Sequence, residues 1–254
     1  FGTQRAIKLS KISENSERFL EQAAQLQKLT TPRAKRRRYR SRNAENIVAV
    51  YDSGLSDNLP WLAMQYMESG TLAEYWETQG RSPTPDEVRQ VASRLVSALG
   101  WMHEANIIHR DIKPSNILID ENGEAYLSAF VDLTERGTAG ISIDTHDYMA
   151  PEVAQDGRAI PESDVYSLGS TLYWLWTQQE PVAFGATPPD WGTVSGDKEL
   201  IRIISMMRER EWNLRPTLSD LAEYFAGTKR VPRNFNISGR LVGGVVGLIF
   251  LLTL

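Results

Sequence analysis

The chain has 254 residues, of which 41% are hydrophobic and 24% charged, so a disordered or fibrous protein is excluded. It contains no cysteine, which excludes disulfide scaffolds, cysteine-ligated metals and cysteine nucleophiles. Only three histidines are present, which disfavours a histidine-built metal site. The formal net charge of −4 argues against a general nucleic-acid-binding protein, and no specific nucleic acid is expected as a partner.

The first elements along the chain are strands around one helix. Residues 2–10 predict a short strand with one lysine, and residues 14–29 place apolar side chains on one helical face. Two apolar runs, 47–51 and 61–67, follow on either side of a Gly/Ser/Asp-rich stretch, which predicts a hairpin. Seven of the ten residues from Arg33 to Arg42 are basic. Such a run is typical of a solvated loop, and an anionic partner remains the alternative.

From residue 70 onward the pattern is helical. Residues 84–87 form a capping box with proline at the first helical position, and they open one long helix. Further helices are predicted over 163–177, 197–209 and 217–226. Strands followed by helices indicate an α+β protein with a small sheet-rich lobe and a larger helical lobe.

The last fourteen residues, 241–254, are apolar apart from one threonine and include three glycines. As a helix they would extend about 21 Å, less than the ~30 Å hydrocarbon core of a bilayer. The segment therefore predicts the start of a membrane-spanning helix, with a buried C-terminal helix as the alternative. Basic residues within 228–240 precede it, and positive flanks stay cytoplasmic. We expect a single-pass cell-membrane protein with its main domain in the cytoplasm.

One run between the long helices carries catalytic chemistry: His109-Arg110-Asp111-Ile112-Lys113-Pro114-Ser115-Asn116, followed by an apolar strand. The pattern H-R-D-x-x-x-x-N before a strand is the catalytic-loop signature of protein kinases. It is joined, in order, by A-I-K at 6–8, A-P-E at 150–152, D-V-Y-S-L-G at 164–169 and R-P at 215–216. Over about residues 4–227 the chain thus resembles the protein kinase family, and most of all the bacterial membrane-anchored Ser/Thr kinases of eukaryotic type.

The resemblance implies a two-lobed, α+β kinase-like fold with four parts. These are a partial N-lobe without the Gly-rich phosphate loop (1–67), a C-lobe (68–227), a basic juxtamembrane linker (228–240) and the start of a transmembrane helix (241–254). It also implies ATP as the nucleotide and a protein as the substrate or signalling partner.

The resemblance assigns a role to each matched site residue. Asp111 would orient the acceptor hydroxyl and Lys113 would sit beside the transferring phosphate. Asn116 would ligate one Mg²⁺, and Lys8 would pair the α- and β-phosphates. The adenine base would lie between Ala6 and Leu118, and Met64 would be the gatekeeper residue. The backbone of the hinge, residues 65–67, would bond the base and includes Gln65 and Met67.

Other matched positions are structural. Glu152 and Arg215 would form a buried ion pair that pins the segment after the activation loop. Asp164 would begin the helix that builds the platform for protein substrates. Four residues would stack as the regulatory spine of the family: Leu26, Val50, His109 and Phe130.

Two positions depart from the family pattern. Ala129 stands where D-F-G has its Mg²⁺-binding aspartate, and a methyl group cannot coordinate a cation that needs oxygen ligands. Losing that carboxylate lowers the rate of phosphoryl transfer by a factor on the order of 10²–10⁴. A register that used Asp132 instead would displace Phe130. In the first helix Gln22 replaces the lysine-pairing glutamate, and the competing Glu21 points about 100° away.

The matches and departures together predict a pseudokinase that signals by binding a nucleotide or a partner. Its ATP binding would be weak or independent of Mg²⁺, because the metal site is impaired. One alternative is an active but slow Ser/Thr protein kinase, favoured by the complete catalytic loop. Another is a small-molecule phosphotransferase of related fold, which the A-P-E segment disfavours.

Overall fold

The computed structural model describes residues 4–9, 16–30, 46–128, 147–181 and 197–230. Within these ranges the first strands and a helix form one sheet-rich part. Two short strands and the remaining helices form a second, larger part. This is the two-lobed α+β arrangement that the sequence predicts.

The sheet-rich part is a three-stranded antiparallel sheet backed by one helix. Its strands have the spatial order β1-β3-β2. Its elements are β1 (Arg5–Leu9), α1 (Ser16–Thr30), β2 (Val50–Ser56) and β3 (Leu59–Gln65). α1 packs on β2 and β3 through Phe19, Ala23 and Leu26, which are spaced as one helical face and are all buried.

The predicted hairpin is correct in kind but wrong in its first strand. β2 starts at Val50 and continues to Ser56, and the turn consists of Asp57 and Asn58, both with positive φ. Two consecutive left-handed residues match the right-handed twist of the flanking strands. Ile47 and Val48 lie instead against β5 of the second part: Ile47 forms an isolated bridge with Leu127, and the Val48 N–H donates to the Leu127 carbonyl at 3.0 Å.

The helical part begins after the hinge that follows β3. Three of its helices start at capping boxes whose first residue is a threonine, at 71, 84 and 217, and the second of these is the predicted box at 84–87. Its helices are α2 (Leu72–Gln79), α3 (Pro85–Glu104), α4 (Pro151–Asp156), α5 (Pro161–Thr177), α6 (Lys198–Met207) and α7 (Leu218–Phe225). Its strands are β4 (Ile117–Ile119) and β5 (Ala125–Leu127), which pair antiparallel.

α5 is the central helix of this part. Nearly all its side chains are buried, as expected of a helix that is packed on every side. α3 packs on α5 and α7, while α6 packs on α5. Gly169 permits that last contact, because a Cβ there would lie 2.7 Å from the Cβ of Met207. α3 and α5 pack on each other and flank the loop that leads into β4.

Some predictions concern residues outside the described ranges. These are the basic run 33–42, Ala129, Phe130, and the apolar segment 241–254. Among the helices that the structure describes, none combines the length and the apolar character that crossing a bilayer requires. The membrane-spanning helix therefore stays a prediction.

Candidate nucleotide and catalytic site

The catalytic loop, residues 109–116, is held in place by Asp164 in the first turn of α5. One carboxylate oxygen of Asp164 accepts the His109 N–H and the other accepts the Arg110 N–H, both at 2.9 Å. Arg110 has φ of +72°, in the left-handed region that costs a non-glycine residue energy. Because the Asp164 side chain is fully buried, these bonds are strong and hold the loop in that conformation. Asp164 therefore supports the catalytic loop directly.

His103, in the last turn of α3, is a supporting residue that the sequence motifs did not indicate. Its Nε2 lies 2.7 Å from Asp164 Oδ2. A buried carboxylate needs donors or a positive charge around it, and His103 adds a donor to the two backbone N–H groups. The two residues are 61 positions apart, so no local spacing could have shown this contact.

His109 is packed and bonded on both ring nitrogens. Nε2 lies 2.9 Å from the Ser128 carbonyl, and Nδ1 accepts the Asp111 N–H at 3.3 Å. A carbonyl only accepts, so Nε2 carries a proton and donates it to this hydrogen bond. His109, Leu26 and Val50 are each 1% exposed, as the spine interpretation requires. His109 is thus a packing and loop-orienting residue and not a proton donor to substrate.

Asp111 is a buried carboxylate whose two oxygens have different partners, Asn116 for Oδ2 and Lys113 for Oδ1. Oδ2 accepts a hydrogen bond from Asn116 Nδ2 at 2.7 Å, and the same amide group donates to the Asp111 carbonyl at 2.8 Å. Oδ1 is buried and lies 3.4 Å from Lys113 Nζ. Among the described residues no group donates a hydrogen bond to this oxygen. The arrangement can accept a hydroxyl proton, which is the role that the resemblance assigns to Asp111.

The residues of the described loop do not fit a resident Mg²⁺ well. Asn116 uses its amide nitrogen on Asp111, which leaves its oxygen as one neutral ligand. In the part of the chain that the structure describes, no three His, Cys, Asp or Glu side chains cluster as a metal site. Mg²⁺ requires near-octahedral oxygen ligands and is usually held by one or two carboxylates besides phosphates. The sequence has alanine at 129, the position at which the resemblance expects the second metal ligand.

The predicted adenine-pocket residues lie on both sides of the hinge that follows β3. Ala6 on β1 is directly opposite Met64 on β3. The segment just after the hinge is joined to β4 by two backbone hydrogen bonds: the Ser69 N–H donates to the Ile119 carbonyl, and the Ile119 N–H donates to the Gly70 carbonyl. Leu118 of β4 is half-buried.

The hinge itself is also partly enclosed. Gln65 is half-buried and donates its N–H to the Ala49 carbonyl at 2.8 Å, whereas Met67 is buried. The structure thus places all five predicted base-contacting residues around one hinge, although their contact with a nucleotide stays a prediction.

The orientation of α1 supports the predicted position of Gln22. Gln22 is half-buried, whereas Glu21 is exposed, so Gln22 lies nearer than Glu21 to the packed side of the helix. Lys8 lies on β1 opposite Leu62 and is half-buried. The pairing of Gln22 with Lys8 stays a prediction.

The predicted ion pair between Glu152 and Arg215 is present. The guanidinium donates two parallel hydrogen bonds, from Nη1 at 2.7 Å and from Nη2 at 2.8 Å, to the two carboxylate oxygens. Arg215 also donates to the carbonyls of residues 162, 209 and 210. Ser163, which the motifs did not indicate, donates to Glu152 at 2.7 Å. Burial alone would raise the pKa of Glu152, but the hydrogen bonds from Arg215 and Ser163 outweigh it and lower that pKa.

These features together define a protein kinase domain, and the family model of that name matches residues 6–227. The chain belongs to the protein kinase family.

Its similarity to individual relatives points to the bacterial Ser/Thr branch. It is 38% identical over 144 residues to the serine/threonine-protein kinase PknL of Mycobacterium tuberculosis, covering 55% of this chain and 36% of that one. It is 37% identical over 141 residues to the serine/threonine-protein kinase PrkC of Bacillus subtilis, covering 54% and 22%. A third relative, PknB of Mycobacterium leprae, is 34% identical over 149 residues, covering 55% and 24%. The matched region thus spans little more than a third of the relatives' own length at most.

Proposed function

We propose that this chain is the nucleotide-binding, kinase-like domain of a signalling protein, with a degraded Mg²⁺ site and little or no phosphoryl transfer. The observation that carries the proposal is the combination of Ala129 with a catalytic loop whose one matched metal ligand is an amide. The five residues that the resemblance assigns to the adenine base are all present in the sequence. A domain with that combination can bind a nucleotide but neutralises the charge of the transferring phosphate poorly.

The loss of one carboxylate affects transfer more than binding. The adenine base is held by apolar side chains and backbone groups, which do not depend on a metal. The phosphate charge that develops during transfer needs preorganised cations or donors. Here the described cations that the resemblance assigns to the phosphates are Lys8 and Lys113. Binding of the nucleotide therefore survives the substitution while the transfer step slows.

One observation favours a second candidate, an active but slow Ser/Thr kinase. The Asp111 Oδ1 atom is buried and accepts no hydrogen bond among the described residues. The Lys113 ammonium 3.4 Å away offsets part of the free-energy cost of burying this oxygen, and a merely structural loop has no need of such an arrangement. In a slow kinase this oxygen would accept the proton of the protein hydroxyl, with Asn116 and Lys113 holding the carboxylate.

A protein is the partner that the platform residues favour over a small molecule. The A-P-E segment is fixed by Arg215, which bonds Glu152 and three backbone carbonyls. Such a rigid surface at the start of α4 has no role in holding a nucleotide. We infer that it presents the domain to a protein substrate or signalling partner.

Attachment to a membrane through 241–254 is a separate proposal. It rests on the apolar character of that segment in the sequence. Expressed with its native flanking sequence, the protein should remain with the membrane pellet after carbonate washing. Release into the soluble fraction would contradict this proposal and leave the nucleotide proposal untouched.

Titration calorimetry with ATP in the presence of EDTA tests the main proposal. We expect measurable binding that falls at least about tenfold in Lys8→Ala, because Lys8 is the phosphate-pairing cation. Lys198→Ala, an exposed lysine at the start of α6, is the matched control and should bind as the unmodified chain does. Equal affinity of the Lys8 and Lys198 variants would contradict the site.

A further inference from the structure

Thr30, the last residue of α1, joins the helix to the sheet through one hydroxyl group. The side chain is 5% exposed. Its Oγ1 donates to the Leu26 carbonyl at 2.9 Å and accepts the Val50 N–H at 3.0 Å. The first bond is a common feature of helical threonine. The second bond is not local, because it reaches the first residue of β2, 20 positions along the chain.

The two residues that Thr30 bonds are both members of the predicted spine. Leu26 and Val50 are each 1% exposed. A single hydroxyl therefore fixes the backbone of one spine residue against the backbone of the next. A neighbouring contact reinforces the same junction, because Gln27 Nε2 donates to the Tyr51 carbonyl at 2.6 Å.

The position of Thr30 on the helix connects this junction to the nucleotide site. Gln22, Leu26 and Thr30 follow one another at intervals of four residues, so they lie along one side of α1. Fixing the end of this row to β2 fixes the rotation of the helix about its axis. Lys8 belongs to the same sheet, because β1 and β2 both pair with β3. The Thr30 hydroxyl thus fixes the row that contains Gln22 relative to the sheet that carries Lys8.

We propose that Thr30 is a positioning residue for the nucleotide site, holding α1 so that Gln22 faces Lys8. The effect on nucleotide affinity rests on the proposed function, whereas the effect on α1 does not. Thr30 touches neither substrate nor nucleotide and acts through the helix.

The test compares Thr30→Val, which keeps the shape and removes the hydroxyl, with Thr30→Ser, which keeps the hydroxyl. Thr177→Val is a matched control. Thr177 ends α5 and donates to the carbonyl four residues earlier at 2.8 Å, but the bonds described for its hydroxyl include none to a strand. The chain has no cysteine, so Glu21→Cys and Ser56→Cys place spin labels at exposed positions on α1 and at the end of β2, in the same sheet as Lys8.

Two measurements are made on each variant: the distance distribution between the two labels, and the affinity for ATP in EDTA. We expect Thr30→Val to broaden the distribution and to weaken ATP binding by about fivefold or more, as the loss of a buried hydrogen bond predicts. Thr30→Ser should match the unmodified chain in both measurements. Thr177→Val should lower the melting temperature without changing either one.

The outcomes separate this proposal from the function itself. If the unmodified chain binds no ATP, the proposed function fails, and the label distances alone decide the role of Thr30. An unchanged distribution in Thr30→Val overturns the proposal. If the unmodified chain binds ATP, an unchanged ATP affinity in Thr30→Val also overturns the proposal. If Thr30→Val does not fold, the Thr30→Ser variant provides the test instead. A broader distribution of label distances in Thr30→Ser than in the unmodified chain would show that the hydroxyl does not position α1.

Discussion

The Arg215 guanidinium and the Glu152 carboxylate face each other in parallel, with their two N–H···O contacts 2.7 and 2.8 Å long, although 63 residues separate them in the chain. The arginine side chain is fully buried and the glutamate side chain is 12% exposed. Such a pair is costly to bury and far more costly to break, because removing one partner leaves an uncompensated charge. It joins the A-P-E segment at the start of α4 to the turn before α7.

Replacing Arg215 with alanine should therefore destabilise the domain by about 3–5 kcal/mol. Arg215→Lys should also cost stability, because an ammonium cannot reproduce the two parallel bonds. Denaturant unfolding measures the change. Arg158→Ala, at an exposed arginine just beyond α4, is the control. An unfolding midpoint for Arg215→Ala that equals that of the control would show that the pair contributes nothing.

Asp164→Asn tests how the catalytic loop is held. The amide has a single acceptor oxygen, so the N–H groups of His109 and Arg110 cannot both keep their partners. We expect amide hydrogen exchange at those two positions to accelerate at least about tenfold relative to α3, since a buried bond to a charged group is lost. Asp156→Asn, at an exposed aspartate at the end of α4, should leave exchange in the loop unchanged.

A third prediction concerns acid stability. Two hydrogen bonds from the Arg81 guanidinium, at 2.6 and 2.9 Å, lower the pKa of Glu87 to about 2 against the opposing effect of partial burial. Because the pKa is lowered in the folded state, the stabilisation is complete above the usual glutamate pKa of 4.5 and is lost as the pH falls towards 2. Glu87→Gln should therefore reduce the dependence of unfolding free energy on pH in this window. Glu77→Gln, at an exposed glutamate on α2, should not.

Local signals predicted much of this architecture. The capping box at 84–87 opens α3, and Gly227 follows the last helix with φ of +70°. These signals succeed because backbone and side-chain groups within four residues satisfy one another. The catalytic-loop motif likewise located Asp111 and Asn116, since their contact spans only five residues.

Contacts between distant segments could not be predicted in the same way. The apolar run 47–51 predicts one strand of the hairpin, but Ile47 and Val48 leave that strand because the backbone groups of Leu127 in β5 are their partners. The hydrogen bonds of His103 with Asp164 and of Ser163 with Glu152 likewise depend on tertiary packing and not on a local sequence pattern. Polar residues of these types occur at many surface positions, and only the tertiary packing of α3, α4 and α5 selects these ones.

Restoring the metal ligand tests the account of catalysis. Ala129→Asp supplies a carboxylate where the resemblance expects one, so we expect phosphorylation of a generic protein substrate to rise by about 10²–10⁴. Gln22→Glu should add to this gain by fixing Lys8 more firmly. Asp111→Ala in the same background should abolish transfer. Robust Mg²⁺-dependent transfer by the unmodified chain, lost in Asp111→Ala, would instead establish the slow active kinase.

The central claim is that the nucleotide site no longer depends on Mg²⁺. The most direct measurement is the ATP dissociation constant of the unmodified chain by titration calorimetry, once in Mg²⁺ and once in EDTA, beside the same pair for Ala129→Asp. We predict values within about twofold of each other for the unmodified chain, and tighter binding in Mg²⁺ by about tenfold or more for Ala129→Asp. An unmodified chain whose affinity rises tenfold with Mg²⁺ would contradict the account.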